Sequence, residues 1–147
     1  MYRNLFVPVD GSELTERAIT TSVELAKQLG ASITGFVAEP LLPLPSMPHS
    51  RTMIERELLD HRASTEAHAQ AILARFEAAA GAAGVPFKGF HDQVPQVDRA
   101  IIETAESQGC DMIVMVTHGR GAFGEFLFGS QTKAVLANSK LPLLVLR

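Results

Sequence analysis

The chain predicts an α/β fold: a single doubly wound, Rossmann-like domain over residues 1–147, with a five-stranded parallel sheet and helices on both faces. Three observations carry this. Compact apolar runs alternate with segments of helical periodicity in the order β-α-β-α-β-α-β-α-β, the pattern of parallel strands joined by helical crossovers. Glycine, proline and aspartate separate the runs where turns are needed. A length of 147 residues suits one domain with a core, and no internal repeat interrupts it. Right-handed crossovers leave few strand orders, and 3-2-1-4-5 is the one expected.

The elements follow in order. Leu5 to Val9 is an apolar run bounded by Asp10-Gly11-Ser12, a buried strand and a turn. Ser12 or Gly11 caps a first helix through Leu29, with Glu13 and Glu16 favourable to its dipole. Its buried face is Ala18, Ile19, Val23, Ala26 and Leu29, and Gly30 ends it. Ser32 to Ala38 is the second strand. Pro40, Pro43, Pro45 and Pro48 make the next stretch extended and non-helical. Arg51 to Ala80 is a long helix rich in alanine, glutamate and arginine, ending at Gly81 or Gly84. Val85 to Phe90, Asp98 to Gln108, Met112 to Val116, Ser130 to Asn138 and Leu141 to Leu146 complete the pattern as strand, helix, strand, helix and strand.

Composition narrows the function. The net charge of −3 and the lack of a basic stretch argue against a nucleic-acid binder held by phosphate attraction. Cys110 is the only cysteine, so the chain has no internal disulfide and fits a reducing compartment. Its place before an apolar strand reads as a buried thiol. No secretory signal and no apolar run near membrane-helix length is visible, so the expected location is the cytoplasm, with no membrane partner.

The most informative stretch is DMIVMVTHGRGAFGEFLFGSQTKAVL, residues 111–136. A strand runs into a turn with Gly119, Gly121, Gly124 and Gly129, then into a helix with Ser130 at its expected N-cap. Turns of this kind hold phosphate, because bare amides and the positive end of the helix dipole face outward. Residues 119–124 spell G-x-G-x-x-G, but after the fourth strand rather than the first, with Leu143 and Leu144 where an acidic residue belongs. Residues 124–131 have P-loop spacing without the lysine.

A third spacing fits: Gly119, nine residues, then Gly129-Ser130. With Val7-Pro8-Val9-Asp10, Thr117-His118-Gly119-Arg120 and Leu141-Pro142-Leu143-Leu144-Val145, this resembles the universal stress protein family along essentially the whole chain. Many members of that family carry G-x-x-G-x9-G-(S/T) and bind ATP with it; others lack the motif and do not. The resemblance implies a set of binding residues. Asp10 would accept hydrogen bonds from the nucleotide, beside a wall of Pro8 and Val9. Val37 would meet adenine through its backbone, and Met115 would line the base or ribose pocket. Gly119, Arg120, Gly129, Ser130, Gln131 and Thr132 would surround the phosphates of ATP, with or without Mg2+.

One motif position departs. Val116 stands where the first glycine belongs, and valine is stiff and bulky. Either the strand end tolerates a side chain beside the nucleotide, or Val116 crowds it. Gly119, Gly129, Ser130 and Thr132 favour the first. The residues also read without a ligand: Asp10 as a turn-forming residue, Ser130 and Thr132 as a helix cap, His118 as a turn histidine. No nucleophile with its base and no metal cluster is evident, so slow ATP hydrolysis is the most the sequence supports. His61 and His68 share a helix face but lack tight ligand spacing. The resemblance further implies a stress-response sensor or adaptor, and a homodimer through the apolar C-terminal strand. Phe123, Phe126 and Phe128 would cover the site or the dimer contact. The alternative keeps the fold, loses the nucleotide through Val116, and works through dimerisation and protein partners.

Overall fold

The computed structural model describes residues 1–41, 50–117 and 129–147. Its elements are β1 (Asn4–Val9), α1 (Thr15–Leu29), β2 (Ser32–Pro40), α2 (Arg51–Ala82), β3 (Phe87–Val94), α3 (Val97–Ser107), β4 (Met112–Val116), α4 (Ser130–Asn138) and β5 (Leu143–Leu146). The strands form one parallel sheet in the order β3-β2-β1-β4-β5, as the sequence predicts. The direction of crossover reverses after β3, which leaves β1 and β4 adjacent at the switch point.

Alternation along the strands sorts side chains onto two layers. Leu5, Val7, Val9, Ile33 and Val37 pack with Ala18, Ile19 and Val23 of α1 and Ile72 and Phe76 of α2. Phe6, Phe36, Ile113 and Met115 pack with Ile101 and Ala105 of α3 and Val135 of α4. In α2 the buried residues run only from Ala69 to Ala80.

β1, α2 and α3 differ from expectation by one or two residues; the boundaries of α1, β2, β3 and β5 differ for identifiable local reasons. The first helix starts at Thr15, with Leu14 as N-cap. Ser12 is held two residues earlier, its amide donating to Asp10 Oδ1 (2.9 Å) while its carbonyl accepts from Thr15 N (3.0 Å). β2 runs on to Pro40, and β3 shifts from 85–90 to Phe87–Val94, because the two pair continuously from Ile33↔Phe87 to Pro40↔Val94. Lys88, His91, Asp92 and Gln93 on this edge strand hid it from an apolar count. β5 begins at Leu143, because Ser139 Oγ turns the chain by accepting from Leu141 N (3.0 Å).

Gly35 in β2 makes room for an aromatic pair. A Cβ there would lie 2.8 Å from both Cε2 and Cζ of Phe87 and 3.1 Å from Cδ1 of Phe76, whose rings sit 4.9 Å apart. Gly81, exposed in the last turn of α2, would meet nothing within 4 Å. Gly35→Ala should therefore destabilise the fold by roughly 1–3 kcal/mol through overpacking. Gly81→Ala should stabilise it by about 0.5 kcal/mol through helix propensity. Urea unfolding of both variants beside the wild type measures the contrast, and equal midpoints would refute it.

Candidate functional site

The site forms where β1 and β4 part. At their amino ends the strands are pinned: the Asp111 carboxylate accepts from Arg3 N (2.8 Å) and Asn4 N (3.2 Å), and Asp111 N donates to Asn4 O (3.0 Å). The β1–β4 register then covers only Leu5↔Met112 and Phe6↔Ile113. Pairing of β1 with β2 continues to Val9↔Val37, and of β4 with β5 to Val116↔Leu146. At the carboxyl ends of β1 and β4, beyond the paired register, lies a cleft of about 320 Å³, a volume at the small end of ligand pockets.

Eight of the residues singled out in the sequence line this cleft: Pro8, Val9, Asp10, Met115, Gly129, Ser130, Gln131 and Thr132. Val116 lines it too, half-buried at the end of β4. Val37 does not. It is 0% exposed in the α1–α2 layer, and the cavity it touches is a different one, beside Glu39, Thr65 and His91. Ala38, one residue on and facing the opposite layer, lines the cleft; the contact expected of Val37 is through its backbone. Gly119, Arg120, His118, Phe123, Phe126 and Phe128 lie outside the described residues.

The sequence reading missed Ser12, Leu14, Thr15 and Ala18 at the start of α1, and Val97 and Ile101 of α3. Val97 and Ile101 stand four apart on the apolar face of α3, a helical signal that by itself marks only burial.

One wall is the amino end of α4. Gly129, not Ser130, is its N-cap, at φ −51 and ψ 150, and among the described residues no side chain caps it. Ser130 is instead the first helical residue. Gly129 does not need a left-handed conformation, and a Cβ there would meet nothing within 4 Å. The first amides of the helix thus face an open mouth with the positive end of the dipole behind them. Ser130 and Gln131 are exposed, and Thr132 is buried.

The opposite wall is the turn after β1. Asp10 is exposed and gives one carboxylate oxygen to Ser12 N. Gly11 has φ +80, and its amide donates to Thr15 Oγ1 (2.9 Å). A Cβ on Gly11 would fall 2.6 Å from His68 Cε1. His68 Nδ1 lies 3.0 Å from Glu39 Oε1, so α2 braces both the Gly11 turn and the end of β2. The rest of the cleft is apolar, from Ala38, Val97, Ile101 and Met115.

Similarity to known proteins accords with this fold. The profile of the Universal stress protein family matches residues 1–147. A universal stress protein of Thermus aquaticus is 28% identical over 148 residues, covering 100% of each chain. Among solved structures, a universal stress protein in complex with cAMP is similar with a TM-score of 0.69 and 22% identity, covering 99% of this chain and 97% of the other. One from Archaeoglobus fulgidus in complex with dAMP has a TM-score of 0.62 and 18% identity, covering 99% and 98%. Among the described residues no helix is long and apolar enough to cross a membrane.

Cys110 stands apart from the cleft. It is 5% exposed at the end of the turn before β4. Burial pushes its thiol above the ordinary range, opposed by a hydrogen bond with the Thr34 side chain. A raised value keeps the group as thiol at neutral pH, and the thiolate is the nucleophile. Native protein should therefore react with iodoacetamide at least about tenfold more slowly than urea-unfolded protein at the same pH. Equal rates, followed by mass spectrometry, would contradict the burial.

Proposed function

The chain belongs to the universal stress protein family, and from that premise we propose that it binds an adenine nucleotide, ATP with or without Mg2+, in the β1–β4 cleft. The observation that carries this is the convergence on one cleft of an uncapped helix amino end and an apolar floor. Phosphates are suited to the α4 end, where amides and dipole favour negative charge. Ala38, Val97, Ile101 and Met115 offer the apolar surface that an adenine ring buries. The Asp10 oxygens accept ribose hydroxyls. Gly119 and Arg120 extend the phosphate contacts in this reading. Structurally similar proteins solved with cAMP and dAMP support the ligand class.

The protein acts, in this reading, as a cytoplasmic stress-response sensor or adaptor whose signal is nucleotide occupancy. It works as a homodimer joined through β5. The strand lies at the sheet edge and carries four half-buried apolar residues, a surface that pairs readily when left uncovered. A second reading is favoured by one observation, the presence of the Val116 side chain in the cleft wall. There the nucleotide is lost and the protein works through dimerisation and partners.

Calorimetric titration with ATP and AMP separates the two. We expect saturable heat for the wild type at or below roughly millimolar nucleotide, with Val116→Gly within about threefold of it. No wild-type heat, with binding gained in Val116→Gly, would overturn the proposal in favour of the second reading.

The dimer has its own test. Ile113 N donates to Pro142 O and Thr117 N to Leu146 O, so even-numbered β5 residues face β4 and the Val145 amide faces outward. Val145→Pro removes that outward donor and spares the inner ladder. Sedimentation should report a shift from dimer to monomer. A wild-type monomer, or a variant that stays dimeric, would refute pairing through β5.

A further inference from the structure

We propose that Pro8 opens the cleft, by withholding the backbone donor that would zip β1 to β4. Arg3 O accepts from Ser32 N (2.8 Å), on the β2 side, while Asn4 O accepts from Asp111 N (3.0 Å), on the β4 side. Peptide groups in a strand alternate, so odd residues of β1 address β2 and even residues address β4. Residue 8 therefore addresses β4.

The observed register is Leu5↔Met112 and Phe6↔Ile113. Continued upward, it would set Val7 against Val114 and Pro8 against Met115. At that step the residue-8 amide would donate to the Val114 carbonyl. Proline has no such hydrogen, and the hydrogen-bonded register ends at Phe6.

The interruption is one-sided. Toward β2, where residue 8 has no bond to make, pairing runs unbroken through Pro8↔Phe36 to Val9↔Val37. Proline is rare in a strand with neighbours on both sides, because it costs a ladder bond. Here the lost bond falls on the switch-point side alone. The two residues that the register would have joined, Pro8 and Met115, both line the cleft. Pro8 is thus a positioning residue. It sets the width of the gap through the missing donor, in addition to any contact of its ring.

The consequence for nucleotide rests on the function proposed above, and the test separates the two claims. Pro8→Val and Pro8→Ala both restore an amide at position 8. Amide hydrogen exchange by NMR should find that amide protected by about a hundredfold or more, as in a paired strand. ATP titration should show affinity reduced about tenfold relative to wild type. An unprotected amide at position 8 overturns the inference, whatever happens to affinity, since the ring contact alone then explains any loss. A protected amide with wild-type affinity overturns it as well. A wild type that binds no ATP overturns the nucleotide reading instead, and the parting of the strands is then judged on exchange alone.

Discussion

The structure depends on one strand pair, β1 with β4, which joins the two halves of the chain. β1 is followed by elements that build the sheet toward β3, and β4 by elements that build it toward β5. Their junction is held from below by Asp111, more than a hundred residues from its partners Arg3 and Asn4. A single carboxylate that accepts two amides fixes where the second half of the fold begins. Without that junction the β1-β2-β3 half of the sheet and the β4-β5 half are not joined. With it closed all the way up, the switch point has no crevice.

The cleft above the junction joins two unlike environments. On the α4 side, backbone amides and the helix dipole favour negative charge. On the α3 side, Val97, Ile101 and Met115 present apolar surface whose burial by a ring is favourable at about 25 cal/mol per Å². A ligand with a flat apolar ring at one end and an anion at the other matches both at once. The turn after β1 is braced from behind, since the space beside Gly11 is filled by Ile72 and by the His68 ring that pairs with Glu39.

Much of this was legible in residues. The order of elements followed from apolar runs and turn signals, and Met112–Val116 and Ser130–Asn138 have the bounds expected. Gly30 ends α1 at φ +64, as a left-handed cap should. The misses have shared causes. β3 is polar on an edge, so pairing with β2 rather than hydrophobicity sets its limits. Ser12 and Ser130 both looked like caps, yet Leu14 and Gly129 hold the capping positions; Ser12 is taken up in the turn through Asp10 and Thr15. Ala38 was missed beside Val37, whose expected contact is through its backbone; the Val37 side chain packs in the α1–α2 layer and Ala38 lines the cleft, because a strand turns a shift of one residue into a change of face.

The sequence by itself determined the fold class and the order of elements, because periodicity and turn chemistry are local properties written in consecutive positions, and its motif spacing carried the family resemblance that implied most of the cleft's residues. Only the tertiary structure decided which helix faces meet the cleft, which of two neighbouring strand residues enters it, and where β1 and β4 separate. Those depend on register between strands distant in the chain. Register is set by hydrogen bonds such as those of Asp111, and by their absence at Pro8, not by any pattern within one segment.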